Sequence, residues 1–134
     1  MKRWLQTGRS TMVVAAGWNL FDALLHVAVD RVEPPRIGGN LGVLTATVVA
    51  YLVASSRLAA SVAALAGSVL VGLNLAWLIN EGGIAVPAFV FIATTLVLLG
   101  WAVRRFLQEA PESARDEAQP WYAMPWIRRA MAAG

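Results

Sequence analysis

Long apolar stretches alternate with short polar or turn-forming breaks along most of this chain of 134 residues. A membrane-spanning helix needs about 20 predominantly apolar residues, and each stretch is close to that length. The pattern therefore predicts an all-α polytopic membrane protein, a bundle of four transmembrane helices followed by a short interfacial C-terminal segment. The four predicted spans cover residues 11–33, 40–56, 58–80 and 84–103.

The breaks predict where the helices end. Pro34 and Pro35 are expected to stop the first helix at Glu33, because neither proline donates a backbone N–H. The run from Gly38 to Asn40 is expected to form a tight turn before the second helix. The predicted organisation is a basic cytoplasmic N-terminus at 1–10, a four-helix transmembrane domain at 11–105, a polar linker at 106–119 and an interfacial amphipathic tail at 120–134.

Composition favours a membrane protein over a soluble one. The chain is 58% hydrophobic and 14% charged, whereas soluble domains average about 25% charged residues. The net charge of +3 comes from basic residues at the ends of the apolar stretches, which is the pattern of topology signals and lipid contacts and not of a nucleic-acid interface. Because the chain has no cysteine, disulfides, thiolate metal sites and cysteine nucleophiles are excluded.

The distribution of lysine and arginine predicts that both termini lie in the cytoplasm, with the chain in a plasma or inner membrane. Basic residues precede the first span, separate the second from the third and follow the fourth. Arg31 and Arg36, between the first two spans, are the exceptions. A signal peptide is the competing interpretation of the first stretch, but Asp22 and His26 interrupt its apolar run.

The segment from Trp18 to Glu33 is a hydrophobic helix with one polar edge. Five of its residues fall within roughly 80° of one another on a helical wheel. They are Asn19, Asp22, His26, Asp30 and Glu33. In the predicted topology this edge lies in the outer half of the first span. Asn40, at the start of the second span, lies at the same depth in the membrane. The third span brings Asn74, Trp77 and Glu81 to the same depth, so the helices predict a polar pocket in the outward half of the bundle.

Asp22 and His26 are the predicted acid–base pair of this pocket. They are one helical turn apart, so their side chains are expected to hydrogen-bond directly, and ionisable residues within a membrane are functional candidates by default. A polar clasp that does no chemistry is the alternative. The candidate ligand-binding residues are Trp18, Asn19, Asn40, Asn74, Trp77 and Glu81. No metal site is predicted, since the chain has one histidine, and no motif specifies a cofactor.

Three functions are compatible with these residues. The first is a pocket that binds a lipophilic small molecule and, if it is catalytic, transfers a proton in an isomerisation, cyclisation or hydration. The second is an accessory subunit of a larger complex, whose polar edge pairs with partner membrane subunits. The third is a proton or ion conduit, which is ranked last because the cytoplasmic half offers few polar residues to line a path.

Overall fold

The computed structural model describes residues 2–30, 33–83, 86–111, 129, 130, 132 and 133. Within them the chain is all-α, as predicted, with a short 3-10 helix at Lys2–Leu5. The four α-helices are α1 (Gly8–Ala28), α2 (Pro34–Leu52), α3 (Ser56–Glu81) and α4 (Val86–Glu109). Three of them, α1, α3 and α4, are long and apolar enough to cross a membrane. Apart from the four residues named above, the predicted tail and residues 112–119 of the predicted linker lie outside the described residues.

Local sequence signals explain the ends of α1 and α3. Thr7 and Ser10 form a capping box at the start of α1, in which each side-chain oxygen accepts a hydrogen bond from the other residue's backbone N–H. Ser55 caps α3 by accepting a hydrogen bond from the Leu58 N–H. α3 ends at Glu81 and is capped by Gly82, whose φ of 74° is a left-handed conformation that glycine adopts without steric cost.

The prolines between the first two helices do not act as predicted. α1 ends at Ala28, and Pro34 and Pro35 form the first turn of α2 instead of stopping α1 at Glu33. The first N–H groups of a helix have no intrahelical partner, so proline fits there without losing a hydrogen bond. The predicted turn at 38–40 is also wrong, because these residues are helical and belong to α2.

α4 runs to Glu109, beyond the predicted end of the fourth span. Phe106, which is 1% exposed, belongs to the apolar core and keeps this last part of the helix packed. The same part of α4 is tied to the N-terminal 3-10 helix, since Trp101 Nε1 and Arg105 Nε donate to the Leu5 carbonyl at 2.9 and 3.2 Å. Tertiary contacts therefore extend α4 past the point where its apolar run stops.

The helices form a ring in which α1 and α3 each pack against both α2 and α4. Small residues dominate the interior, and the buried alanines include Ala15, Ala46, Ala50, Ala59, Ala60, Ala63, Ala66 and Ala102. Gly39 brings α2 so close to α3 that a Cβ at this position would lie 2.6 Å from Leu70 Cδ1. Small residues allow this close approach of helix backbones, as is common between membrane helices.

Large apolar side chains cover the outside of the bundle. Leu24, Leu52, Ile79 and Val97 are between 60% and 79% exposed. Soluble monomers rarely expose contiguous apolar surface on this scale, whereas hydrocarbon is a compatible solvent for it. The exposed surface and the three long apolar helices together indicate a membrane protein.

The two ends of the bundle differ in charge. We call the end where α1 and α3 finish and α2 and α4 begin the pocket end, and Asp30, Glu33 and Glu81 lie there. The opposite end, which we call the basic end, carries Arg3, Arg9, Arg57, Arg104 and Arg105. The apolar core fills the half of the bundle next to the basic end. Most of the buried polar side chains lie in the other half.

Candidate functional site

Asp22 is the centre of a buried hydrogen-bonded network near the pocket end. It is 4% exposed. Arg36 Nη2 donates to both of its carboxylate oxygens, at 2.9 and 3.0 Å, and Asn40 Nδ2 donates to Oδ2 at 3.0 Å. Arg36 and Asn40 are four residues apart on α2, so both reach the same face of α1. The buried carboxylate therefore has a cationic partner and a further donor inside the bundle.

His26 lies one turn beyond Asp22 on α1 and makes a looser contact with it than predicted. Its Nδ1 is 3.6 Å from Asp22 Oδ1, which is beyond hydrogen-bond distance, and 3.0 Å from the Asp22 backbone carbonyl oxygen. If Nδ1 carries the ring hydrogen, it donates a hydrogen bond to this carbonyl oxygen, and Nε2 can accept a hydrogen bond from a ligand. The expected direct bond between the two side chains is not formed, and Arg36 is the main partner of the carboxylate.

A cavity of about 300 Å³ opens beside this network at the pocket end. The side chains that supply its polar lining are Asp22, His26, Glu33, Arg36 and Asn74. Its apolar wall includes Leu25, Val29, Trp77, Ala88 and Phe91. Small-molecule pockets hold about 300–1,000 Å³ and combine a mostly apolar wall with a few polar groups. This cavity has that composition and lies at the small end of the range.

Four residues predicted from the sequence line the cavity, namely Asp22, His26, Asn74 and Trp77. Asn19 and Asn40 instead line a void of about 10 Å³ that also borders Asp22. Trp18 and Glu81 line neither space, and Glu81 is exposed at the end of α3. The predicted ligand-binding set is therefore divided between the cavity, the packed layer next to it and the surface.

Contacts between α1 and α4 explain the positions of Trp18 and Asn19. The Trp18 ring stacks on Phe91 with 4.2 Å between ring centroids, and its Nε1 donates to the Phe91 carbonyl at 3.4 Å. Asn19 Nδ2 donates to the Ala15 carbonyl at 2.8 Å and to Thr95 Oγ1 at 3.3 Å. Both side chains thus hold α1 against α4, which is a common role for aromatic and amide groups between membrane helices.

The last two residues of the predicted polar edge lie beyond α1. Asp30 has a φ of 53°, a left-handed conformation that ends many helices and that aspartate tolerates better than most residues. Glu33 directly precedes α2. It lines the cavity, where its carboxylate forms no hydrogen bond or ion pair with the described part of the chain.

Arg36 is the functional residue that sequence reasoning missed. The charge pattern assigns it to a loop, as an exception to the positive-inside rule, but it is 8% exposed within α2. Two sequence signals point to its real position. Proline is favoured at the first helical position, which starts α2 at Pro34, and a buried carboxylate such as Asp22 needs a partner within the bundle.

The site is suited to hydrogen-bonding a small organic molecule. Within the described residues, no three His, Cys, Asp or Glu side chains are grouped so that they could hold a metal ion. The polar groups at the cavity are instead an imidazole, an amide, a guanidinium and two carboxylates. Comparison with protein-family models, curated proteins and solved structures gave no match. The case for a function therefore depends on the chemistry of the site.

Proposed function

We propose that the chain is a four-span membrane protein whose cavity at the pocket end binds a lipophilic small molecule. The observation that supports this most directly is the placement of polar groups. Buried ionisable and amide side chains line the cavity, while large apolar side chains cover the outside of the bundle. Ionisable residues that face the interior of a membrane bundle typically mark a functional site.

The two faces of α2 support its role as a fourth span. This helix has 19 residues, and at about 1.5 Å per residue its length is close to the hydrocarbon thickness of about 30 Å. Its polar residues Arg36 and Asn40 are buried, whereas Leu41, Val48 and Leu52 are exposed. The weaker apolar character of α2 thus comes from side chains that face its neighbours and not the lipid.

The basic end is proposed to lie in the cytoplasm and the pocket end on the outer side of a plasma or inner membrane. Five arginines at the basic end support this orientation, because basic residues concentrate on the cytoplasmic side. α1 begins and α4 finishes at this end. Both flanking segments of the bundle are therefore proposed to be cytoplasmic, and the cavity is open to molecules on the outer side.

The proposed ligand places a polar group on the buried side of the cavity and an apolar body against its wall. Arg36 uses Nη2 for Asp22, and its other nitrogens donate to no described residue. These nitrogens, His26 Nε2 and the Glu33 carboxylate are the polar groups available to a ligand. Trp77 and Phe91 supply the flat apolar surface.

Binding is better supported than acid–base catalysis. Both carboxylate oxygens of Asp22 accept hydrogen bonds from Arg36, and one also accepts from Asn40. Asp22 therefore acts as a positioning residue for Arg36. If the protein transfers protons to its ligand, as in an isomerisation, cyclisation or hydration, His26 is the residue that would carry them.

Neither alternative has an equally specific observation in its favour. A conduit needs a polar path along the whole bundle, but apolar side chains fill the half next to the basic end. An accessory subunit would present its polar edge to partner subunits, but Asn19 and Asp22 find their hydrogen-bond partners inside this chain.

The test is binding of a neutral lipophilic probe, para-fluoroneopentylbenzene, to the protein in nanodiscs, followed by fluorine NMR with empty nanodiscs as the partitioning blank. Ala88→Phe fills the cavity from a position that is 6% exposed, and Val29→Trp narrows it from a position that is 56% exposed. Ala64→Phe adds the same ring at an exposed position of α3 that does not line the cavity.

Saturable binding that is lost in Ala88→Phe and Val29→Trp and kept in Ala64→Phe would support the proposal. The exposed position of Val29 means that loss of binding there is not explained by failure to fold. Absence of saturable binding, or equal binding by all four proteins, would overturn it.

A further inference from the structure

The charges at the cavity do not balance. Arg36 Nη2 lies 2.9 Å from Asp22 Oδ1, so the charges of these two side chains largely cancel. Glu33 is a second carboxylate at the cavity, and no described residue forms an ion pair with it. Apart from the His26 imidazole, the ionisable groups of the lining are two carboxylates and one guanidinium, an excess of one acidic group. A positively charged ligand would complete this balance.

The wall of the cavity also favours a cation. Trp77 and Phe91 both line the space, and the face of an aromatic ring attracts a positive charge, most strongly for tryptophan. Both side chains are partly buried, so water screens this attraction less than it would on an open surface. Aromatic side chains and a carboxylate that forms no ion pair with the described residues therefore line one cavity, and these two features recognise ammonium groups.

An anionic ligand fits the same cavity poorly. Glu33 would repel it, and Arg36, the one cation among the described residues that line the space, already faces Asp22 at ion-pair distance. A neutral ligand gains the apolar contacts but no charge interaction. The difference in electrostatic interaction energy between cationic, anionic and neutral ligands therefore depends mainly on Glu33.

We infer that the ligand of this cavity is a lipophilic cation, a substituted ammonium with an aromatic or branched alkyl body. Its charged group lies near Glu33 and its apolar body lies against Trp77 and Phe91. This inference rests on the proposed binding function and names the chemical class of the ligand.

The experiment compares two probes of the same shape that differ in charge. para-Fluorobenzyltrimethylammonium carries a nitrogen cation where para-fluoroneopentylbenzene carries a neutral carbon. Both are titrated into the protein in nanodiscs of neutral lipid and followed by fluorine NMR. The cation is expected to bind about tenfold more tightly than the neutral probe, which corresponds to about 1.4 kcal/mol.

Two matched variants locate the source of the preference. Glu33→Gln removes the carboxylate at the cavity, and it leaves the start of α2 intact because the Glu33 side chain makes no capping hydrogen bond. Glu81→Gln makes the same chemical change at the pocket end, but Glu81 is exposed and does not line the cavity. Glu33→Gln is expected to abolish the preference for the cation over the neutral probe, while Glu81→Gln keeps this preference.

The outcomes separate this inference from the function on which it rests. Equal affinity of the two probes, or a cation preference that survives Glu33→Gln, overturns the ligand class but leaves the binding pocket in place. A wild-type protein that binds neither probe overturns both. A cation that binds equally well to Ala88→Phe is bound outside the cavity, and this result overturns the ligand class.

Discussion

Arg36 joins α2 to α1 through a single nitrogen, Nη2, which donates to both carboxylate oxygens of Asp22 at 2.9 and 3.0 Å. Both side chains are buried. Removing a charged pair from water is costly, and the cost is recovered when the geometry is good and further hydrogen bonds are made, as Asn40 does here. Removing one partner of the pair should therefore lower the free energy of unfolding more than removing both partners.

Arg36→Met is expected to lower the free energy of unfolding by about 3–5 kcal/mol, because it leaves the buried carboxylate of Asp22 without a cation. The measurement is unfolding in mixed micelles with increasing denaturing detergent. Arg3→Met is the matched control, since Arg3 is exposed on the N-terminal 3-10 helix. The double variant Asp22→Leu/Arg36→Met removes both charges and should recover most of the loss. Equal stability of Arg36→Met and Arg3→Met would contradict the buried pair.

The polar edge of α1 illustrates what could be derived from the sequence. Asp22 and His26 recur at helical spacing within an apolar run, and this periodicity is local, so their common face was predictable. Asn74 and Trp77 were predictable at the same depth, because depth follows from counting residues along each helix. All four residues line the cavity.

Residues whose positions depend on a distant partner could not be derived. The Trp18 ring stacks on Phe91, which is 73 residues away in the chain. The sequence around Trp18 does not show that an aromatic ring of α4 will cover it. Arg36 was missed for a related reason, because its role depends on where α2 begins. A proline pair can end one helix or start the next, and packing against α1 decides between them.

Gly8 and Gly17 provide a second prediction, in which one substitution has opposite effects at two positions of α1. A Cβ on Gly8 would overlap the ring of Phe106, which is 1% exposed and has little room to move. Gly8→Ala is therefore expected to destabilise the bundle by about 1–3 kcal/mol through overpacking. A Cβ on Gly17 meets nothing within 4 Å, so Gly17→Ala is expected to stabilise α1 by about 0.5–1 kcal/mol. Thermal unfolding of both variants in one detergent tests the pair, and the same sign for both would contradict this packing.

Glu109 and Glu81 provide a third prediction, again with opposite signs. Glu109 Oε1 accepts a hydrogen bond from the Gly8 N–H at 2.7 Å, which places a negative charge at the positive N-terminal end of α1. Glu81 is the last residue of α3, where its charge opposes the helix dipole. Glu109→Gln should lower the free energy of unfolding and Glu81→Gln should raise it slightly. Each change should be at the low end of about 0.3–1 kcal/mol, because both side chains are exposed. Both effects should shrink at high salt, and insensitivity of both to salt would argue against an electrostatic origin.

The proposal that α2 crosses the membrane can be tested directly, because the chain has no cysteine of its own. Gln6→Cys, Ala54→Cys and Asn80→Cys each introduce a thiol at an exposed position, before α1, between α2 and α3, and near the end of α3. If α2 spans the membrane, a membrane-impermeant maleimide added to intact cells should label the Asn80 variant and leave the other two unlabelled until the membrane is opened. The physical reason is that α2 hides Arg36 and Asn40 inside the bundle and carries an exposed apolar face that suits a lipid environment. If α2 instead lay on the outer surface, the Ala54 variant would be labelled from outside, and the four-span arrangement would have to be abandoned.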